Sequence, residues 1–394
     1  MFTYLSRLTT TSCDRYERQK EEDSERIATR KKQMETYCRR LPANRQYLDS
    51  RVPVISQRKH FFFCPVTKSA STFWSRFVLK LDASGTRMES PFKVPRLNNS
   101  LVFTETKLSA IGNRQDRFRF LRKSIKTVFV RDPYHRMFSA YVDKVFAPNP
   151  TFWGQWGRRL PSKLRVQRYG SKRLCLHDLT FAEVLSTAAA FLYKYDLHFI
   201  PVVWRCIPCQ FKYDVVGKME TFAEDLRYLS NHMNLSLTKY FASDEFRYDY
   251  AKDAIEDSIY SPFGWLKDIF RCMDKLEMGL RIWRKLQIRG IIDRRIAFPY
   301  PKEKFLNVTA EQFIHDSLKA HLRSTDREEL ERQKREAFVE AYRTVDMSVL
   351  QKMKTVFKAD FEMFVYESEP ADVFDRNISV TVTGAFDWLN PWTG

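Results

Sequence analysis

Glycine is scarce in this chain, with 11 residues among 394, and none falls between His60 and Leu81. That interval holds an apolar run, a polar turn with a lysine, and a helix-like stretch. The phosphate loop of nucleotide triphosphatases needs glycines and a Lys-Ser/Thr pair opening its helix, so the shortage excludes it. Long apolar runs are missing too: no stretch reaches the ~18 residues of a membrane-spanning helix. The N-terminus, MFTYLSRLTTTSCDRYERQK, is too polar for a signal peptide. Seven cysteines are too few for a disulfide-dense scaffold and leave an odd one over. Acidic residues are the minority, 48 against 67 Lys and Arg, for a net charge of +19. That balance favours an anionic partner, whether nucleotide, nucleic acid, acidic glycan or membrane surface. With 44% hydrophobic and 15% aromatic residues the chain can bury a large core, which excludes disorder.

The stretch HFFFCPVTKSASTFWSRFVLKL from His60 to Leu81 organises the rest. His60–Phe63 read as a buried strand. Phe73, Trp74, Phe77, Val78 and Leu81 recur at helical spacing. The turn between them, Val66 to Thr72, carries Lys68 and the hydroxyls of Ser69, Ser71 and Thr72. The first amides of the following helix have no internal partner and carry the positive end of its dipole, so this arrangement grips phosphate. A plain strand-to-helix turn with a capping Ser or Thr is the competing reading.

A second unit of the same kind follows. Lys126–Val130 read as a strand, Arg131 stands at its end, Asp132 suits a helix cap and Pro133 a first turn. Ligands of open parallel sheets sit at that strand end. Tyr213–Val216 read as a third strand, and Leu101–Phe103 suggest another. Thr180–Glu183 and Thr221–Glu224 have capping-box spacing. Residues 14–40 hold nine Lys/Arg and seven Asp/Glu and read as an exposed helix or stem outside the core. A linker runs from Pro42 to Pro53. Residues 156–173 hold seven Lys/Arg and no acid, a candidate polyanion rim. Residues 240–350 are mostly helical, and 367–394 read as a tail. Alternating strands and helices point to an α/β sandwich, organised as residues 1–53, 54–366 and 367–394.

With these blocks in view, the sequence resembles the Golgi carbohydrate sulfotransferases, particularly the chondroitin/dermatan 4-O-sulfotransferase type. Cys64, Val66, Lys68, Thr72, Trp74 and Arg76 fall on the family's 5′-phosphosulfate loop, with Thr67 and Ser75 departing from it. Arg131, Asp132, Pro133, Tyr134, Arg136, Ser139, Ala140 and Tyr141 fall on its 3′-phosphate segment, and Asp143-Lys144 continue the match. A third block places His198-Phe199, Cys206-Ile-Pro-Cys209 and Tyr213 to Thr221, with Asp225 and Tyr228 extending it. Asp360–Phe364 resemble the family's C-terminal end. Residues 240–350 have no counterpart.

The resemblance implies a three-layer α/β fold akin to the P-loop proteins, with a central parallel sheet and a helix-rich C-terminal part. It implies 3′-phosphoadenosine 5′-phosphosulfate as donor, no metal, and a sugar hydroxyl of an acidic glycan as acceptor. The donor would meet Thr67, Lys68, Ser69, Ala70, Ser71, Thr72 and Phe73 at one end, and Arg131, Asp132, Pro133, Tyr134, His135, Arg136, Met137, Phe138 and Ser139 at the other. Lys68 would meet the charge growing on the leaving oxygen. His198 is the candidate base, with Glu220 as a substitute. Cys206 and Cys209 could be a zinc half-site, a redox pair or disulfide members. Zinc wants four ligands and no second close Cys/His pair is present, and a lumenal protein favours disulfides. Their partners stay unassigned. Family members are membrane-anchored glycoproteins facing the Golgi lumen. The sequons at Asn98, Asn234, Asn307 and Asn377 permit that address. Nucleic acid is not expected as a partner. A non-catalytic polyanion binder and another nucleotide-dependent transferase are the alternatives.

Overall fold

The computed structural model describes residues 2–40, 53–83, 90–94, 107–159, 175–377 and 383–392, with side chains of the first helix from residue 16 onward. The chain divides into two units. One comprises residues 1–131, 201–247 and 359–366, and the other residues 132–200, 248–358 and 367–394.

The first unit is built on a four-stranded sheet in the order β1 (Val54–Ser56), β2 (Phe61–Cys64), β3 (Ile125–Val130), β4 (Val215–Lys218). Strands β2, β3 and β4 are parallel, and β1 adds an antiparallel edge. Alternate side chains of a strand point to opposite faces, and β2 shows why it must be buried on both. Phe61 and Phe63 pack on one face against Phe73, Trp74, Phe77 and Val78 of α2 (Ser71–Ala83). Phe62 and Cys64 pack on the other with Phe120 of α3 (Arg114–Lys123), Val202 and Tyr213. This is the expected sandwich. Gly217 lies opposite Phe129 in the register, and a Cβ there would come within 2.3 Å of the Phe129 ring. The glycine lets the aromatic lie flat across the neighbouring strand.

The charged N-terminal segment forms one long helix, α1 (Phe2–Arg39). The reading of it as a stem outside the core is corrected. Ile27 and Met34 are each 1% exposed. Its charges are matched rather than merely solvated. Arg26 Nε and Arg30 Nη1 donate to the buried Asp225 carboxylate at 3.0 and 2.6 Å. Arg227 donates to Asp23 of α1 at 2.7 Å, and Lys31 pairs with Asp214 at 3.2 Å. A Cys38–Cys209 disulfide closes the end of the helix. Composition alone could not reveal this, because the partners lie about 200 residues away.

The second unit is helical. Tyr342 sits in its centre between Tyr134, Phe181 and Phe338. Residues 240–350 supply structural charge here: Lys285, 3% exposed, donates to Asp143 at 2.6 Å. Burial pushes that lysine down, and Asp143 opposes the shift. The C-terminal tail is likewise corrected. Thr383 and Ala385 donate their amides to Glu340, and Arg284 donates to the carbonyls of Gly384, Ala385 and Asn390. The Cys175–Cys272 disulfide also belongs to this unit. The capping box at Thr180–Glu183 forms as expected. The one at Thr221 does not, because Asp225 accepts the Thr221 hydroxyl at 2.8 Å. Leu101–Phe103, most of the Pro42–Pro53 linker and residues 160–174 of the basic window lie outside the described residues. Among the described residues no helix is long and apolar enough to cross a membrane.

Asp225 also accepts from the Lys218 amide at 2.8 Å. Asp225→Ala therefore strands two arginines and an amide and should destabilise the unit by about 3–5 kcal/mol. Urea denaturation followed by far-UV circular dichroism measures this. A loss under about 1 kcal/mol, the range of exposed pairs, would mean that α1 does not depend on this carboxylate.

Candidate functional site

The turn that leaves β2 is left-handed at two residues. Lys68 and Ala70 both have positive φ, 64° and 57°. A residue bearing a Cβ gives up roughly 1–2 kcal/mol to enter this region. The turn has no glycine, so the strain is stored in place. Left-handed residues within a turn bring successive amides to one side and form an anion-binding concavity. The turn is held by Ser69 N–H donating to Val66 O at 3.2 Å, and α2 begins directly after it, with Trp74 N–H donating to Ala70 O at 3.0 Å. Its first amides and dipole face the same turn.

Ser69 is fully buried, and its Oγ has no hydrogen-bond partner among the described residues. An unpaired buried hydroxyl costs about 1–3 kcal/mol, so such a group marks a place where a ligand can complete the bonding. Arg131, at the end of the neighbouring parallel strand, donates from Nη1 to Lys68 O at 3.4 Å. The Arg131 guanidinium thus reaches the backbone of the turn that bears Lys68. Thr67, Lys68, Ala70, Ser71 and Thr72 are half-buried. Phe73 is buried in the aromatic core and offers only its backbone. Ser75, where the resembled family has a lysine, donates to Ser71 O within the helix.

The turn is braced from behind. Cys64, the last residue of β2, is disulfide-bonded to Cys206. Cys206 ends the short helix Val202–Cys206, whose first amides, of Val202 and Val203, donate to the buried Asp360 carboxylate at 2.7 and 2.9 Å. The Cys-Ile-Pro-Cys pair is therefore two disulfide halves, and the C-terminal block is an anchor for the brace. Among the described residues no group of three or more His, Cys, Asp and Glu could hold a metal. Glu220 is exposed and accepts from Tyr366 Oη at 3.0 Å.

The second unit begins with the remaining residues of the expected 3′-phosphate segment. Asp132 caps the helix Pro133–Tyr141, accepting from His135 N–H at 2.9 Å, with Pro133 in its first turn. The segment does not present all its side chains alike. Tyr134 is buried and donates to Ser368 O, and burial pushes its phenol up. Met137 and Phe138 are core residues. Arg136 is buried and donates to Ile200 O at 2.8 Å. Helical periodicity turns these four side chains inward. His135, stacked on Phe338 with ring centres 4.2 Å apart, is exposed, and Ser139 is half-buried.

His198 also lies in the second unit, and its partner was not legible from the motif. Asp196 Oδ1 bonds both the His198 amide, at 2.9 Å, and the ring Nδ1, at 2.8 Å. Asp196 Oδ2 accepts from Trp156 Nε1 at 2.6 Å. The rings of Phe152 and Trp156 meet the imidazole edge-on. Burial pushes the Asp196 carboxyl up, but the hydrogen bonds and charge of His198 and the Trp156 N–H outweigh it and hold the group below its ordinary range. Its depressed value means that its stabilisation is present above about pH 4 and is lost as pH falls through that lower value. A carboxylate on Nδ1 fixes the ring and favours the tautomer in which Nε2 is the basic nitrogen. The available signal was an acid two residues before the histidine, the spacing of an Asx turn.

A profile of the Sulfotransferase family matches residues 53–256. The chain is 26% identical to carbohydrate sulfotransferase 12 of Xenopus laevis over 243 residues, 56% of this chain and 57% of that protein. It is 28% identical to carbohydrate sulfotransferase 11 of Rattus norvegicus over 193 residues, 45% and 51% of the two chains. It is 29% identical to carbohydrate sulfotransferase 9 of Homo sapiens over 183 residues, 45% and 40%. The chain spans about half the length of the curated relatives it matches. No solved structure matches it.

The left-handed turn has a direct test. Lys68→Gly and Lys68→Ala remove the same ammonium group, so their difference isolates the backbone. Glycine loses roughly 0.5–1 kcal/mol more chain entropy than alanine but escapes the steric cost. Lys68→Gly should be the more stable by about 0.5–1 kcal/mol in thermal denaturation. The opposite order would mean that the turn is not left-handed.

Proposed function

Because the chain belongs to the sulfotransferase family, we propose that it moves a sulfuryl group from 3′-phosphoadenosine 5′-phosphosulfate to a hydroxyl of an acidic, chondroitin- or dermatan-like glycan. One observation carries the reading: a strained, glycine-free turn at a parallel strand's end that bears Lys68, holds an unpartnered buried hydroxyl and has its Lys68 carbonyl bonded by Arg131. A passive polyanion binder has no need of such a turn.

The amides of Ser69 to Phe73, the Ser69 hydroxyl and Lys68 suit the 5′-phosphosulfate. Arg131 offers a planar fork for the oxygens of the 3′-phosphate. In the reaction the sugar oxygen attacks sulfur in line, an O–S bond forms, and the S–O bond to the 5′-phosphate breaks. The electron pair stays on the phosphate oxygen, where Lys68 and the helix-end amides are worth more in the transition state than before it. His198, with Asp196 on its Nδ1, is kept as the candidate acceptor of the sugar proton. The charges of the leaving group are met by protein cations, so the mechanism uses no metal.

Three disulfides support an oxidising compartment. The exposed sequons Asn234, Asn307 and Asn377 are compatible with it, while Asn98 lies outside the described residues. We place the proposed activity in the Golgi lumen on that basis, and endoglycosidase sensitivity of the expressed protein checks it.

The decisive experiment is transfer of radiolabelled sulfate from the donor to a panel of desulfated glycosaminoglycans, followed by disaccharide analysis. Lys68→Ala should lose at least about 100-fold in kcat, and Arg131→Ala should weaken binding of adenosine 3′,5′-bisphosphate in calorimetry. Asp196→Asn should lower kcat by roughly 100-fold or more while leaving nucleotide affinity intact. Near-normal turnover by Lys68→Ala removes the mechanism, and absence of transfer to every glycan removes the acceptor class.

A further inference from the structure

The segment immediately before the Asp196–His198 pair carries apolar side chains that a soluble surface seldom shows together. Phe191 is 50% exposed, Tyr195 72% and Leu197 42%. Single exposed aromatics are ordinary, but several on one short run mark an interaction surface. The run also carries charge. Lys194 Nζ lies 5.5 Å from the centre of the Tyr193 ring, and Lys352 Nζ, from the helix Met347–Val356, lies 5.9 Å from the same centre. Two exposed ammonium groups lie over one tyrosine ring, although like charges repel. The ring's quadrupole offsets part of that cost, and an arriving anion would offset more.

The backbone ties this strip to the proton-accepting pair. Asp196 N–H donates to Leu192 O at 2.8 Å, closing the turn that bears Tyr193–Tyr195, and Asp196 O accepts from Phe199 and Ile200. The strip and the imidazole thus share one rigid turn within the second unit.

We propose that Phe191, Tyr193, Lys194, Tyr195 and Lys352 form the landing strip for the acceptor, an acidic polysaccharide running toward His198. Pyranose rings present apolar C–H faces that cover aromatic surface, and uronate carboxylates alternate with them at a spacing that ammonium groups can meet. A purely apolar partner would leave the lysines unanswered, and a phosphate-rich polyanion would not need Tyr195 and Phe191. The inference rests on the glycan-acceptor reading above but not on the donor site.

The test uses the whole chain and a desulfated chondroitin hexasaccharide, with a carboxyl-reduced hexasaccharide and a single-stranded oligonucleotide as controls, all measured by calorimetry. Tyr195→Ala should weaken hexasaccharide binding roughly three- to tenfold. Lys194→Ala/Lys352→Ala should weaken it by a similar factor, flatten its salt dependence, and make no difference to the carboxyl-reduced sugar. Binding of adenosine 3′,5′-bisphosphate should be unchanged in every variant, which also reports that the fold is intact, since these side chains are exposed. Hexasaccharide binding within twofold of wild type in these variants overturns the strip. So does equal dependence of oligonucleotide binding on Tyr195, or a wild type that binds the nucleotide but not the hexasaccharide. Strip-dependent sugar binding without nucleotide binding would sustain the strip and instead remove the donor assignment.

Discussion

Everything proposed for the first unit depends on holding a backbone that would rather relax. Lys68 and Ala70 stay in a left-handed turn that costs each residue free energy. Such a conformation persists only where its surroundings overdetermine it. Here β2 is buried on both faces, its final residue is covalently tied to Cys206, and Asp360 pins the helix that carries Cys206. Most of the matched sequence blocks can be understood as parts of this clamp. Glycine would make the same turn easily, but it would also leave it free to open.

The second unit applies the same logic with side chains. His198 is a candidate base because Asp196 and Trp156 leave it one orientation, and Asp196 is in turn fixed by the turn that contains it. Charge burial is managed pairwise throughout: Lys285 with Asp143, and Arg294 with Glu329. Arg284, satisfied mainly by backbone carbonyls, is pushed down to about 10 by burial. Such pairs contribute little net stability, but breaking one leaves a charge stranded, so they define which packing is allowed.

The local patterns of the sequence were legible wherever a strand fed a helix. The β2 and β3 runs, the Asp132 cap and the Thr180 box follow from short-range chemistry. What escaped was long-range or depended on facing. The charged helix α1 looks solvated because its carboxylate partners, Asp214 and Asp225, lie far along the chain. Tyr134, Met137 and Phe138 stand inside a motif whose spacing suggests contact, yet the helix turns them to the core. Thr221 lost its capping role to a competing acceptor four residues on. Asp196 was missed because its role is set by a turn and not by a motif.

The threading of the chain has a consequence for its synthesis. The first unit takes its residues from three separated segments, the last ending at Tyr366. A ribosome must therefore deliver the chain as far as Asp360 before β4, its two bracing disulfides and the Asp360 anchor can all be in place. Until then the sheet lacks part of its cover, for roughly tens of seconds at ordinary elongation rates. Native pairing of Cys38 and Cys64 must wait for Cys209 and Cys206, so earlier pairing among the N-terminal cysteines would be a route to misfolded product.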